Sequence, residues 1–386
     1  MKKILYVEGN IDGTVGGSYF SLLFLASGLD RNRFQPTVVF ARENSLIPTY
    51  ESRGVRVLIR ARPQPARFSF PGGALVAKAV NFIAGFIVEP LRLARFLRRE
   101  NVAVLHLNNA VTLNQTWMMG AWFARIPCVT HERGINPVYK TRDHVLSRTL
   151  RAIIAISKAV EENLVTRGMK RVVMIHNGLN AQEMRVTRPA AEIRAELGLS
   201  AGKRLIGVVG NIKEWKGQRL VVQAVAALRE EFPDVVALLI GDAPPGEPAY
   251  RDEILKLARE SGVAERIIVT GFQQNVANYI NALEIQLHTS TSPEPFGRVL
   301  LEAMALGKPL IASNGGAVPE IVVHGVTGLV FEPGSAADLT TCLRRLLSDP
   351  AQAAQMGKAG QVRLDEFFSV AANVRQTETL YDRILA

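Results

Sequence analysis

The sequence has 386 residues, of which 48% are hydrophobic and 21% charged, as in an ordinary globular protein with room for two or three domains. The net charge of +11 is uneven: residues 1–182 hold 25 Lys and Arg against 11 Asp and Glu, a net charge of +14, whereas residues 183–386 hold 21 against 24, a net charge of −3. Two isolated cysteines, Cys128 and Cys342, argue against a disulfide scaffold and a cysteine-ligated zinc site, and they fit a reducing compartment.

The first residues, MKKILYVEGN, are predicted to form a buried strand and not a signal peptide, because Glu8 interrupts the apolar run and no small-residue cleavage site follows. Further short runs rich in Val and Ile have the same character, and segments of helical spacing separate them. Strands that are apolar over most of their length are typical of parallel sheets buried on both faces. In chain order the predicted strands are KILYVEG, PTVVFA, VRVLIR, VAVLHLNN, PCVTHE, AIIAIS, VVMIHNG, RLIGVVGN, VVALLIGD, RIIVTGF, EIQLHTS, PLIASN and GLVF.

These thirteen predicted strands are too many for one open sheet. The chain is therefore predicted to divide into tandem domains. The break falls in residues 177–203, which show no strand pattern and carry Gly, Asn and Pro near their start. The predicted fold class is α/β, with two Rossmann-like doubly wound domains facing each other across a cleft, where ligands bind beyond the carboxyl ends of the strands. The predicted domains are residues 1–182, residues 183–366 and a C-terminal helix, residues 367–386, that could pack back on the first domain.

Residues 60–73, RARPQPARFSFPGG, read as a basic, Pro-rich loop, and residues 74–100 continue as an apolar run that ends in arginines. The run is too short to span a bilayer, because it is broken by Lys78, Asn81, Glu89 and Pro90. Aromatic side chains beside an arginine cluster suit an interfacial segment on an anionic bilayer, and the alternative is a core helix with a solvated arginine end. The aromatic residues are Phe68, Phe70, Phe82 and Phe86, and the predicted membrane-facing arginines are Arg92, Arg95, Arg98 and Arg99.

The first strand leads into a glycine-rich turn, GNIDGTVGGSYFSLL, in which Gly13, Gly16 and Gly17 precede or open a helix. Glycines in such a turn let backbone N–H groups approach a phosphate at the helix amino end. The spacing is neither GxGxxG nor that of a P-loop, which disfavours a nicotinamide cofactor.

A second turn, GVVGNIKEWKGQ, follows the first strand of the second half and carries Lys213 and Lys216 between glycines. Lysine is a compact point charge suited to a diphosphate. The alternative, for either lysine considered alone, is an ordinary residue of a turn whose side chain faces solvent.

The stretch SPEPFGRVLLE places Glu294 in a Pro/Gly turn and Glu302 one turn into the helix predicted to begin near Arg298. The unsatisfied N–H groups at the start of a helix can hold a phosphate. One carboxylate on each side of that phosphate could then accept hydroxyls from two sugars, Glu302 from a ribose and Glu294 from a second sugar. The spacing alone also fits two surface glutamates.

SPEPFGRVLLEAMALGKPLIASNGGAVPEIVVHGVTGLVFEPG resembles the signature block of the retaining glycosyltransferases of family 4, which have the GT-B fold, with the E-x7-E motif falling on Glu294 and Glu302. Other segments are similar to further motifs of that family and follow in its order. These segments are GTVGGS, THE, AIIAISKAVEENL, MIHNGL and GNIKEWKG.

The resemblance implies three catalytic residues: His131 contacting the donor sugar, Lys216 binding and stabilising the leaving diphosphate, and Glu294 holding the transferred sugar. It further implies that Glu302 holds the ribose. His106 has weaker support and is predicted to be structural. The implied donor-binding residues are Gly16, Gly17, Asn211, Lys213, Lys216, Gly271, Phe272, Glu294, Phe296, Gly297, Arg298, Val299, Leu300 and Glu302.

One position departs from the family pattern. The arginine expected after the glycine of the lysine-bearing turn is Asn211 in this sequence, so one diphosphate charge is missing. Lys213, two residues further on, is the candidate replacement.

The function implied is that of a retaining hexosyltransferase that uses a nucleoside-diphosphate sugar and forms its new bond by same-face attack. The sequence contains no Asp-x-Asp and no metal-ligand spacing, so no metal or cofactor is expected. The basic N-terminal half predicts a lipid-linked or cell-envelope glycan as acceptor, with the protein cytoplasmic and peripheral on the inner face of the membrane. A nucleic-acid partner is not expected, because no reading motif is present. A sugar-nucleotide epimerase of similar fold and a transferase acting on a soluble acceptor are the alternatives.

Overall fold

The structure is a computed structural model that describes residues 1–10, 16–61, 80–81, 84–200, 202–244 and 246–386. The predictions made for Gly13, Phe68, Phe70 and Phe82 lie outside these residues. The chain forms two compact units: an N-terminal unit of Met1–Gly178 with Val370–Ala386, and a C-terminal unit of Leu179–Ser369.

The N-terminal unit is built on a seven-stranded parallel sheet with the strand order β3-β2-β1-β4-β5-β6-β7. The chain starts in the middle of the sheet, moves to one edge and then returns to build the other half, which is the doubly wound arrangement. The strands are β1 (Lys2–Val7), β2 (Phe34–Phe40), β3 (Arg56–Ile59), β4 (Val102–Leu107), β5 (Cys128–Glu132), β6 (Ala152–Ala155) and β7 (Val172–Met174).

Helices connect these strands. A π-helical turn, Ala84–Val88, leads directly into the helix Glu89–Arg99, named α3. That helix and the next pack closely, because a Cβ atom on Gly120 would lie 2.8 Å from the Cβ atom of Leu93. The helices are α1 (Gly17–Gly28), α2 (Ile47–Ser52), α3 (Glu89–Arg99), α4 (Gln115–Ala124), α5 (Thr141–Ser147) and α6 (Lys158–Thr166).

The C-terminal unit repeats the same plan with six parallel strands in the order β10-β9-β8-β11-β12-β13. The strands are β8 (Arg204–Val209), β9 (Val235–Ile240), β10 (Ile267–Gly271), β11 (Ile285–His288), β12 (Leu310–Ser313) and β13 (Gly328–Phe331). The helices are α7 (Ala190–Glu196), α8 (Gln218–Ala227), α9 (Ala249–Glu260), α10 (Val276–Ala282), α11 (Arg298–Ala305), α12 (Val318–Ile321), α13 (Ala336–Ser348) and α14 (Pro350–Phe367), with short 3₁₀ turns at Ala181–Glu183, Glu214–Lys216 and Ala264–Arg266.

The last helix, α15 (Val370–Leu385), packs on α1 in the N-terminal unit. A Cβ atom on Gly28 would lie 2.8 Å from Cγ2 of Val374, so the two helices are in close contact. Tyr381 is fully buried and meets the ring of Phe34 edge-on, with the ring centroids 5.7 Å apart. The C-terminal end of the chain therefore supplies part of the core of the N-terminal unit.

The strand predictions are confirmed for every run, and the two sheets confirm the α/β class with Rossmann-like halves. The reason is physical: both faces of each sheet carry helices, so most strand side chains are buried and apolar residues follow one another along the strand. In each sheet the strand order reverses between the first and the fourth strand, β1 and β4 or β8 and β11. Ligands of doubly wound sheets bind at the carboxyl ends of such a pair.

Candidate active site

In the C-terminal unit, the loops that follow β8 and β11 meet at the switch point of the sheet. The loop after β8 contains the 3₁₀ turn Glu214–Lys216, and the loop after β11 carries Glu294 and leads into α11. Because β8 and β11 are neighbouring parallel strands, their following loops leave the sheet at the same edge.

Backbone contacts fix the two loops against each other. The N–H of Thr291 donates to the carbonyl of Trp215 over 2.8 Å, and the Thr289 hydroxyl donates to the carbonyl of Lys216, also over 2.8 Å. Gly217 has φ +66°, and a Cβ atom there would lie 2.1 Å from the carbonyl oxygen of Thr289. Position 217 therefore requires glycine. The close approach of Gly217 to Thr289 brings Lys216 next to the loop that follows β11.

Lys216 and Glu294 form an ion pair, with Nζ and Oε2 separated by 2.8 Å and both side chains about five-sixths buried. The buried His288 and the Ser290 hydroxyl contact the same oxygen, at 3.2 Å and 3.4 Å. Burial raises the pKa of Glu294, but the hydrogen bond from His288 and the charge of Lys216 outweigh it and lower that pKa to about 2. Glu294 is therefore an ionised carboxylate held in one place.

The backbone of Glu294 is held from its other side by Gly316. The N–H of Ala317 donates to the Glu294 carbonyl over 2.8 Å. Gly316 has φ +63°, and a Cβ atom on it would lie 2.2 Å from that carbonyl oxygen. Any other residue at position 316 would displace the turn that carries Glu294.

Helix α11 begins at Arg298, as predicted, and places Glu302 on its buried side. Oε1 of Glu302 accepts a hydrogen bond of 3.0 Å from Nε of Arg298. Burial raises the pKa of Glu302, and the Arg298 guanidinium opposes the rise. Phe296, just before α11, and Leu300, in its first turn, are also buried.

Of the other predicted donor-binding residues of this unit, Asn211 and Lys213 follow β8, Gly271 and Phe272 lie at the end of β10, and Gly297 and Val299 lie at the start of α11. Asn211 is exposed, and its carbonyl accepts a hydrogen bond of 3.0 Å from Gln218. Nζ of Lys213 lies 3.6 Å from Oε2 of Glu247. Gly271 ends β10, and the side chain of Phe272 is 82% exposed directly after it. The carbonyl of Val299, in α11, accepts a hydrogen bond from Gln286.

In the N-terminal unit, His131 lies in β5 and is almost fully buried. Its Nδ1 atom is 2.7 Å from Nε2 of His106 in the neighbouring strand β4. Burial lowers the pKa of His131 well below its usual range, and the charge of nearby Arg133 lowers it further. Gly16 and Gly17 open α1, and a Cβ atom on either would have no neighbour within 4 Å among the described residues.

The four predicted membrane-facing arginines lie on α3 with their side chains exposed. Arg92 is 3.4 Å from Glu89, and Arg98 donates to the carbonyl of Phe123 in α4. Exposed apolar side chains lie in the same part of the sequence, on the turn before α3 and on α3 and α4. These are Ile87, Val88, Leu91 and Trp122.

Sequence reasoning missed three contributors to the site. His288 and Ser290 hold the Glu294 carboxylate, and Gly316 holds its backbone. The signal for His288 was its place as the last residue of a strand at the switch point. Gly316 belongs to a Gly-Gly pair inside the quoted signature block, but nothing in the sequence relates that pair to Glu294.

Within the described ranges, no group of three or more His, Cys, Asp and Glu side chains is arranged to hold a metal ion. No helix there is long and apolar enough to cross a membrane.

Two family models match the chain. The model described as Glycosyltransferase Family 4 matches residues 15–183, and the model described as Glycosyl transferases group 1 matches residues 189–363. The N-acetyl-alpha-D-glucosaminyl L-malate synthase of Bacillus anthracis is 28% identical over 76% of this chain and 78% of its own length. The lipopolysaccharide core biosynthesis mannosyltransferase LpsB of Rhizobium meliloti is 26% identical over 62% of this chain and 68% of its own length.

Solved structures are similar to this protein over nearly its whole length. The Anabaena protein Alr3699/HepE in complex with UDP superposes with a TM-score of 0.81 and 25% identity over 99% of this chain and 100% of that chain. Its complex with UDP and glucose gives a TM-score of 0.80 and 26% identity over the same shares. The protein is thus an enzyme, a glycosyltransferase of the GT-B type. Within that class, the chain belongs to the family 4 type of glycosyltransferases, which confirms the resemblance found in the sequence.

Proposed function

We propose that the protein transfers a sugar, with retention of anomeric configuration and without a metal ion, from a nucleoside-diphosphate sugar to a hydroxyl of a lipid-linked or cell-envelope glycan. The observation that carries the donor part is the cluster of Lys216, Glu294 and His288 at the switch point of the C-terminal sheet, beside the amino end of α11. The similarity to Alr3699/HepE, which was solved in complex with UDP and with UDP-glucose, supports a uridine diphosphate sugar as the first donor to test.

In this proposal Lys216 binds the diphosphate, and its charge compensates the negative charge that develops as the sugar–phosphate bond breaks. The N–H groups at the start of α11 add to this stabilisation. Glu294, ionised and fixed by His288, accepts hydroxyls of the transferred sugar, and Glu302 accepts those of the ribose. Phe272 lies by the base, and Lys213 provides a second charge near Asn211.

The bond changes follow from these roles. The bond between the anomeric carbon and the diphosphate oxygen breaks, and the acceptor oxygen forms a bond to the same face of that carbon. The acceptor proton passes to the departing diphosphate oxygen, so no side-chain nucleophile is required. The positive charge that assists departure comes from Lys216 and the helix amino end.

A lipid-linked acceptor and a peripheral cytoplasmic location rest on the basic N-terminal part and on α3. The exposed arginines of α3 lie beside exposed Ile87, Val88 and Leu91, a combination suited to an anionic bilayer surface. The name of the Rhizobium relative, a lipopolysaccharide core mannosyltransferase, supports the same class of acceptor.

A soluble acceptor is the second candidate. The Bacillus relative, an N-acetyl-alpha-D-glucosaminyl L-malate synthase, supports this candidate. It is similar to this chain over a larger share of the chain than the Rhizobium enzyme is.

The test starts with thermal stabilisation by UDP, GDP and ADP and their sugars in the presence of chelator, for the wild type and Glu302→Ala. We expect one nucleotide to raise the melting temperature of the wild type alone. Product formed with a lipid-extract acceptor is then examined by NMR for the anomeric configuration. Stabilisation that needs a divalent metal, or a product of inverted configuration, would overturn the corresponding part of the proposal. Release of an epimerised sugar without acceptor would instead identify an epimerase.

A further inference from the structure

A wide cavity lies at the amino edge of the N-terminal sheet, at the opposite ends of the strands from His131. Its volume is about 850 Å³, and its walls come from the end of α4 and from the turns that lead into β5, β6 and β7. Strand β5 is five residues long, so roughly 15 Å of strand separates this edge from the carboxyl ends. The cavity is therefore separate from the candidate active site. We call it the arginine cavity, after the arginines that line it, Arg125, Arg148, Arg151 and Arg171.

The topology of the sheet explains why these arginines meet. Arg151 and Arg171 directly precede β6 and β7, and Arg125 lies three positions before β5. These strands are parallel neighbours, so the residues before them lie side by side at one edge, with about 5 Å between adjacent strands. Arg148 completes the group from the turn between α5 and β6.

No acidic side chain neutralises this group among the described residues. The described lining contains no Asp or Glu, and the ion pairs that the structure describes in the N-terminal unit lie elsewhere. All four arginines are exposed. Like charges at one edge repel one another, and an anion bound between them relieves that repulsion.

The backbone at two of these positions is left-handed, with φ +60° at Arg125 and +58° at Arg171. That conformation is unfavourable for residues with a Cβ atom and usually belongs to glycine. The Arg171 guanidinium donates to the carbonyls of Arg148 and Leu150, over 3.1 and 2.6 Å, and so has a structural use. Arg125 caps α4 through its backbone N–H, whereas its side chain donates to no residue in the part of the chain that the structure describes. The fold therefore gives no reason for an arginine at position 125.

Trp122 adds an aromatic surface to the same cavity, with 61% of its side chain exposed. Trp117, Met118 and Ala121, also on α4, are buried, so the core on this helix does not include the Trp122 ring. A flat aromatic ring beside arginines can lie against the apolar or aromatic part of a ligand whose anionic groups bind the guanidinium groups.

We propose that the arginine cavity binds a ligand that carries two phosphate groups next to an apolar or aromatic portion. A guanidinium donates two parallel hydrogen bonds to a phosphate, and a phosphate with up to two negative charges is matched by two arginines. Four arginines therefore suit two phosphates, and Trp122 suits the portion beside them. A lipid headgroup with two phosphates and a soluble diphosphate compound share this chemistry, and the experiments distinguish them.

The test compares two variants that each lose three positive charges from the N-terminal unit. Arg171 is unchanged in both, because its guanidinium holds two carbonyls. The cavity variant carries glutamine in place of Arg125, Arg148 and Arg151. The control variant carries glutamine in place of three exposed residues that do not line the cavity, Lys2, Arg42 and Arg167.

Inorganic pyrophosphate is the soluble probe, and its binding is measured by titration calorimetry against sulfate at equal ionic strength. Every protein compared carries Lys216→Met, which removes the proposed diphosphate site of the C-terminal unit. We expect pyrophosphate to bind the parent more tightly than sulfate, the cavity variant to bind it at least about tenfold more weakly, and the control variant to match the parent. Equal weakening in both variants would mean that net charge alone attracts the anion. That outcome overturns the proposal, and so does pyrophosphate binding no tighter than sulfate.

Vesicles separate the two sources of the ligand. Phosphatidylcholine vesicles that contain cardiolipin, whose headgroup has two phosphates, are compared with vesicles that contain twice as much phosphatidylglycerol and so carry the same charge. A preference for cardiolipin that only the cavity variant loses would identify a lipid headgroup as the ligand. Equal binding to both kinds of vesicle, with the expected pyrophosphate result, would identify a soluble diphosphate compound.

Melting temperatures show whether lost binding reflects lost folding. The three guanidinium groups removed in the cavity variant donate to no described residue, so this variant should melt at or slightly above the parent's temperature at low ionic strength, where repulsion is greatest. Pyrophosphate should raise the melting temperature of the parent and of the control variant but not that of the cavity variant. If pyrophosphate stabilises all three proteins equally, it binds elsewhere and the proposal is wrong.

Discussion

Nζ of Lys216 lies 2.8 Å from Oε2 of Glu294, although 78 positions separate the two residues in the sequence. The pair joins the loops after two neighbouring strands at the point where the sheet reverses its order. In the proposed reaction these side chains hold opposite ends of the same bond, the lysine at the leaving diphosphate and the glutamate at the sugar. Their present contact shows that both groups already reach one small volume.

Lys216→Met should reduce kcat/KM for the nucleotide sugar by about 10²–10³-fold, because the charge that stabilises the leaving group is removed. The methionine keeps most of the apolar stem. The rate is measured as nucleotide diphosphate released in the presence of acceptor. Melting of the variant should stay within a few degrees of the wild type, because His288 and Ser290 still contact the Glu294 carboxylate.

Substitutions of two further lysines provide comparisons for the kinetics of Lys216→Met. Lys213→Met should raise the KM for the donor by about three- to tenfold, as expected if Lys213 provides the second diphosphate charge. Lys256→Met, on the exposed side of α9, should leave the kinetics unchanged. Equal losses at positions 213 and 216 would contradict the distinct role given to Lys216.

Glu302→Gln should stabilise the protein at pH 8 while weakening nucleotide binding. The folded-state pKa of Glu302 is raised by burial, so the ionised carboxylate costs stability above the ordinary carboxyl range. Below that range the wild-type residue is protonated and the cost disappears. The melting temperature of the variant should therefore exceed that of the wild type at pH 8 and approach it near pH 5.

The control for that measurement is Glu260→Gln, an exposed carboxylate on α9. It should show no pH-dependent difference from the wild type. A Glu302→Gln protein that melts lower than the wild type at pH 8 would mean that the bond from Arg298 outweighs the burial of Glu302.

Gly316→Ala should lower both stability and activity, whereas Gly325→Ala should lower stability slightly and leave activity intact. Both glycines have positive φ, so both substitutions carry about 1 kcal/mol of backbone strain. Only at Gly316 would the new Cβ atom meet a backbone oxygen, at 2.2 Å, which adds about 1–3 kcal/mol and displaces Glu294. Chemical denaturation and donor turnover compare the two; equal effects on turnover would show that the Gly316 contact does not hold the site.

The strands could be predicted from the sequence because each carries its own signal. The run VVALLI is buried at every position in the structure, as β9, and a strand buried on both faces leaves little choice but consecutive apolar residues. The start of the helix at Arg298 could also be predicted from the local sequence, because a Pro/Gly turn precedes it. The strand order, and with it the switch point of each sheet, was not predicted from the sequence.

Contacts across the sequence could not be predicted in this way. His106 was interpreted as structural, and a single histidine in an apolar strand gives no sign that it contacts His131 on one side and Tyr381, 275 positions away, on the other. The docking of the Lys216 loop depends on Gly217 meeting the Thr289 carbonyl, which no local pattern indicates. These details require the packed structure, because each depends on two segments folded independently.

Replacing Arg92, Arg95, Arg98 and Arg99 by glutamine should release the protein from anionic liposomes. Each arginine near a negatively charged surface contributes about 1 kcal/mol, so four should account for several hundredfold in partitioning at physiological salt. Glutamine is preferred to glutamate here because Arg98 donates to the Phe123 carbonyl, a bond that an amide can retain. Binding is measured by co-sedimentation with vesicles of zwitterionic lipid containing a fraction of anionic lipid.

The control variant removes the same number of positive charges from the C-terminal unit, at Arg229, Lys256, Arg259 and Lys358. If the α3 arginines form the membrane contact, the control binds the vesicles like the wild type and the α3 variant does not. If both variants lose binding equally, net charge alone governs the attraction and α3 has no special part in it. Wild-type binding by the α3 variant would contradict the peripheral membrane assignment and favour the soluble acceptor.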